Sequence, residues 1–134
     1  MTKHANGTFE VTMKPLDQGD SAQPENLGRM SLDKQFEGDL QASSKGQMLT
    51  ALTSVAESAG YVAIEKVTGT LNGRSGTFTL QHNGLMSQGD QQLTIVVVPD
   101  SATGELAGLT GSMSIAIDEN GKHTYEFNYT YLNV

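Results

Sequence analysis

The pair Asn72-Gly73 constrains this chain more than any other feature, because it breaks an otherwise continuous alternating run, Tyr61–His82. Asn-Gly accepts the positive φ angles of a tight hairpin turn, so the run folds into two antiparallel strands. A second turn agrees with it. Asp118–Lys122 fits a type I turn with Gly121 in the left-handed position. A three-residue loop there pairs Ile117 with His123, Ile115 with Tyr125 and Met113 with Phe127. Met113, Ile115, Ile117, Tyr125 and Phe127 then share one face expected to be buried, while Ser112, Ser114, Thr124, Glu126 and Asn128 share the other. A two-residue loop would set the aromatics against the serines.

The rest of the chain repeats the period of two. Phe9, Val11 and Met13 alternate with polar residues, and residues 15–26 read as a long loop. Met30, Leu32, Lys34 and Phe36 form the next strand, a turn follows at Glu37-Gly38-Asp39, and Leu40, Ala42, Ser44 and Gly46 stay in phase. The segment 47–59 fits a helical face or a bent strand, and the strand is the preferred reading. Leu93–Pro99 is apolar at nearly every position and is expected to be covered on both faces. Roughly eight short antiparallel strands without a convincing helix must close into a barrel or stack as a sandwich, and closure removes exposed edges. The expected fold is one all-β domain over residues 1–134, an antiparallel barrel of about eight strands.

Composition removes several functions. The chain has 134 residues and no cysteine, so disulfides and thiolate zinc sites are excluded. His4, His82 and His123 lack metal-ligand spacing, and neither a metal nor a cofactor is expected. A net charge of −7 with no basic cluster disfavours nucleic acid and anionic membrane surfaces. No apolar run approaches ~20 residues, so no spanning helix is expected. The N-terminus has no apolar targeting core, which leaves the cytoplasm as the default compartment. Phosphate loops, nucleophile elbows and zinc-protease motifs do not occur.

Several segments together resemble a family of small bacterial proteins defined as a domain of unknown function. They are DKQFEGDL (33–40), YVAIE (61–65), GRSG (73–76), LQH (80–82), VPDS (98–101), TGELAGL (103–109) and YEF (125–127). The likeness spans nearly the whole chain. It implies a calycin-like barrel of the kind shared by allene oxide cyclases and dirigent proteins, and residues 102–111 look like the glycine-rich strand entrance of those barrels. The resemblance implies no activity.

Candidate site residues therefore come from pairing. With two or four residues in the loop beginning at Asn72, Glu65 lies opposite His82 or one pair away, on a face shared with Tyr61, Val67, Leu71, Phe78 and Leu80. With three, Lys66 takes its place. A carboxylate beside an imidazole in apolar surroundings suits a general acid/base pair, and equally suits a buried plug that fixes strand register. Lys34 is in phase with an apolar face. It either meets Glu65 inside, holds an acidic ligand, or, as such lysines more often do, snorkels from the rim. Tyr125, Phe127 and Tyr129 are most simply core aromatics, and the two tyrosine hydroxyls then need partners. Arg74 and Ser75 are expected at a solvated turn.

Three functions follow. One is a barrel holding a small apolar or amphiphilic ligand among Lys34, Tyr61, Phe78, Tyr125, Phe127, Tyr129 and the Glu65/His82 pair. Another is an isomerase or cyclase in which Glu65 and His82 move a proton. The last is a homo-oligomerising structural domain with a filled interior.

Overall fold

The computed structural model describes residues 2–16 and 26–132. Eight strands run in sequence order around a closed antiparallel barrel. They are β1 (Lys3–Pro15), β2 (Leu27–Gly38), β3 (Leu40–Leu52), β4 (Ala59–Leu71), β5 (Arg74–Ser87), β6 (Asp90–Val97), β7 (Leu109–Ile117) and β8 (His123–Tyr131). A 3₁₀ turn at Gly104–Leu106 precedes β7. Each strand pairs with its sequence neighbour, and β1 closes the circle on β8.

The turn chemistry sets the register. Leu71 faces Arg74 across a two-residue turn, with Asn72 at φ 45° and Gly73 at φ 87°. In the last hairpin Ile117 pairs with His123, Ile115 with Tyr125 and Met113 with Phe127. Gly121 has φ 83°, and the Asp118 carboxylate accepts hydrogen bonds from the Asn120 and Lys122 amides, each at 2.9 Å. A Cβ at Gly121 would meet nothing within 4 Å. Gly121→Val is therefore expected to cost about 1–2 kcal/mol through backbone strain alone. Gly121→Asn should cost clearly less in the same chemical denaturation, and equal losses would contradict the turn assignment.

Three sequence expectations change. Segment 47–59 is strand as far as Leu52 and turns thereafter. β6 is covered on one face only: Ile95 and Val97 are buried, whereas Thr94 and Val96 are exposed, because a single-layer barrel puts nothing outside them among the described residues. Ile117 shares the inward face of β7 but is 64% exposed, because it lies at the barrel's open end. The expected loop 15–26 falls mostly outside the described residues; Pro15 ends β1 and Leu27 begins β2.

The two ends of the barrel differ. At one end Leu40, Leu71, Leu106, Leu109, Phe78, Tyr125, Phe127 and Tyr129 are buried in one cluster. Phe127 stacks on Phe78 and on Tyr129, with centroids 5.8 and 5.2 Å apart. The tyrosine hydroxyls are satisfied there. Tyr125 donates to the Glu37 carbonyl at 2.9 Å and accepts from the Leu40 amide, and Tyr129 accepts from the Asn72 amide at 2.7 Å. The β6–β7 connection closes that end, with Thr103 donating its amide to the Thr77 carbonyl and Leu106 fully buried. Toward the other end the wall thins. β6 and β7 pair at Ile95–Met113 and Val96–Ser112, and the ladder goes no further.

Candidate functional site

The open end leads into a cavity of about 720 Å³. Its walls are mostly apolar, including Phe9, Val11, Leu32, Met48, Leu93 and Ile115. Its polar lining includes Lys34, Tyr61, His82 and His123, and among the described residues contains no aspartate or glutamate.

Behind this floor lies a buried polar cluster that the strand register assembles. The two-residue turn pairs Glu65 with Leu80 and Ala63 with His82, so Glu65 and His82 are diagonal neighbours on the inner face. Lys66 points outward and is exposed. β3 places Ser44 opposite both Lys34 and Val67, which brings the serine beside the carboxylate. Glu65 is fully buried, and Lys34, Ser44 and His82 are each at most 5% exposed. The Glu65 carboxylate accepts from Lys34 Nζ at 2.9 Å, from Ser44 Oγ at 2.7 Å and from His82 Nε2 at 2.5 Å. The Lys34 ammonium also lies 5.1 Å from the Phe9 ring centroid and 5.8 Å from that of Phe36. The rim position expected for Lys34 is thus replaced by an interior one. The Phe9 and Phe36 rings lie against its ammonium, and Glu65 supplies the counter-charge that burial demands.

Burial alone would raise the Glu65 pKa. The His82 hydrogen bond, the Lys34 charge and the hydrogen bonds from Lys34 and Ser44 outweigh it, and bring the value from 4.5 to about 2. An ionised carboxylate only accepts, so the proton on the Glu65–His82 contact sits on Nε2. Nδ1 is then turned toward the Tyr61 hydroxyl, 3.4 Å away. Burial and the Glu65 charge both raise the Tyr61 pKa, so it stays a phenol and a donor. Tyr61 can lie there because its partner on β5 is Gly84, where a Cβ would come within 2.4 Å of the ring.

This arrangement has a pH signature. Because the folded-state pKa of Glu65 lies below its unfolded value, its stabilisation is present above pH 4.5 and is lost as pH falls toward 2. The amount is about 3 kcal/mol. In urea denaturation, the stability gap between wild type and Glu65→Gln should narrow by about that much across this window. A gap that stays constant would mean Glu65 is not held ionised.

Of the candidates drawn from the sequence, Lys34, Tyr61, Glu65 and His82 come together. Phe78, Tyr125, Phe127 and Tyr129 do not join them as ligand contacts; they fill the closed end, because their strands carry them there before the cavity begins. Ser44 and His123 were missed. Ser44 shares the phase of Leu40 and Ala42, which could have marked it as inward. His123 packs on Phe9 at 5.1 Å, and only barrel closure brings those two strands together. No group of three or more potential metal-ligating side chains occurs among the described residues. No helix among them is long and apolar enough to cross a membrane.

Comparison with known proteins gives a fold and a family. The family model described as "Protein of unknown function (DUF3224)" matches residues 5–129. No curated protein matches the chain. A crystal structure at 1.84 Å of a DUF3224 protein with unknown function, from Shewanella oneidensis MR-1, is 46% identical, with both chains fully covered and a TM-score of 0.92. An eight-stranded barrel with these matches over nearly its full length belongs to the DUF3224 family.

Proposed function

We propose that this protein binds one small apolar or amphiphilic molecule in the open half of its barrel. The observation that carries this reading is the division of the interior. One end is packed by aromatic and leucine side chains, while the other holds a cavity of about 720 Å³ with apolar walls and a few convergent polar groups. That volume lies within the ~300–1,000 Å³ range of small-molecule sites. A closed up-and-down barrel with one open end is also how calycin-type carriers enclose a single ligand, which agrees with the resemblance noted in the sequence.

A second reading, proton-transfer catalysis on the bound molecule, has one observation in its favour. Glu65 fixes the His82 tautomer and leaves Nδ1 turned away from the carboxylate, beside Tyr61. An imidazole oriented in this way suits an isomerase or cyclase step with His82 as the base.

Mass spectrometry of small molecules released from natively purified protein tests the binding reading. Titration with the neutral fluorophore 1-aminoanthracene supplies a second test. Stoichiometric retention of a compound, or saturable one-to-one fluorophore binding, is the expected outcome. A barrel that releases nothing and binds no fluorophore would contradict it.

A further inference from the structure

Among the described residues, the lysine that lines the cavity meets no carboxylate in that lining. In a chain of net charge −7, the described residues that line the cavity, 21 in all, include one ammonium, two imidazoles, a phenol, the Thr50 hydroxyl and the Gln91 amide, and no carboxylate. Glu65 is fully buried and is not among the lining residues. It accepts a hydrogen bond from the Lys34 ammonium at 2.9 Å. Among the described residues Lys34 has a single hydrogen-bond partner, Glu65. An ammonium has three N–H donors, so two stay available. The Tyr61 hydroxyl keeps its single proton, because burial and the Glu65 charge raise its pKa, and can turn it from His82 Nδ1 to a bound head group.

From this geometry we infer that the bound molecule carries an anionic head on an apolar body, with the head, a carboxylate or an equivalent monoanion, seated on Lys34 beside His82 and Tyr61. The inference rests on the binding reading above and adds the chemical class of the ligand. A cationic head would meet the Lys34 ammonium in an apolar enclosure, where like charges repel strongly. A neutral alcohol would accept one hydrogen bond but leave the site's charge preference unused. The apolar body fits the walls formed by Val11, Leu32, Met48, Leu93 and Ile115. The fully buried Glu65 keeps the cation from requiring an anion for stability, so the empty barrel is a folded state and the ligand is exchangeable.

Three probes that share a ten-carbon chain and differ at the head separate the outcomes. Decanoate, decanol and decylammonium are each used to displace 1-aminoanthracene from the intact protein at neutral pH. Decanoate should bind at least about tenfold more tightly than decanol, and decylammonium most weakly. Equal affinities, or a preference for the amine, would overturn the inference while leaving the binding reading intact. Failure of the fluorophore to bind at all would instead overturn the binding reading. Removing Lys34 alone would strand Glu65, so the companion variant is Lys34→Met/Glu65→Gln, which removes the charge pair together. In that variant the acid-to-alcohol preference should fall to within about twofold. A preference that persists would place the head group elsewhere.

Discussion

Replacing Glu65 with alanine should destabilise the barrel by about 3–5 kcal/mol, the range for breaking a buried ion pair by removing one partner. The change takes the acceptor from three buried donors at once, Lys34, Ser44 and His82. The Lys34 ammonium, 5% exposed, would then face the aromatic rings of Phe9 and Phe36 with no counter-charge. The double variant Lys34→Met/Glu65→Leu should lose less than Glu65→Ala alone, because hydrophobic replacement of a whole buried pair is often neutral. The comparison is a urea denaturation at pH 7 on all three proteins. A loss under about 1 kcal/mol for Glu65→Ala would mean that water reaches the cluster and compensates it.

Phe127→Ala should cost a similar amount, about 3–5 kcal/mol, for an unrelated reason. Phe127 is fully buried between Phe78 and Tyr129, and the closed end has no space into which neighbours could collapse without moving their stacked rings. Because the ring does not line the cavity, the variant should keep the 1-aminoanthracene affinity of wild type wherever it is folded. Loss of stability with unchanged binding distinguishes a core plug from a ligand platform. Weakened binding in a folded variant would return Phe127 to the site.

The elements legible in the sequence were those set by local turn chemistry. Gly121 and the apolar pattern around it select one loop length, whereas Asn72-Gly73 marks a turn but leaves two, three or four loop residues open, and loop length decides which residues share a face. That logic put Tyr125 with Phe127 and Met113, but left Glu65 and Lys66 as alternatives beside His82 until the two-residue turn selected Glu65. What it could not supply was depth along the barrel axis. Lys34 lies on the inner face either at a rim or at mid-barrel, and only the stagger between β2, β3 and β4 brings it to Glu65. Depth also decided the fate of the aromatics. Tyr61 and Tyr125 both face inward, yet one borders the cavity and the other packs the closed end. The single-sided burial of β6 was hidden for a different reason. A strand apolar at nearly every position reads the same whether a second layer covers it or solvent meets its outer valine.

The division of the barrel into a filled half and a receptive half is most directly tested by methyl NMR during titration with 1-aminoanthracene. Shifts should concentrate on Leu32, Met48, Leu93 and Ile115 around the cavity and leave Leu40, Leu71, Leu106 and Leu109 in place. Shifts confined to the outward-facing Val62 and Ile64, or spread evenly through the closed end, would contradict a ligand site floored by Lys34 and His82.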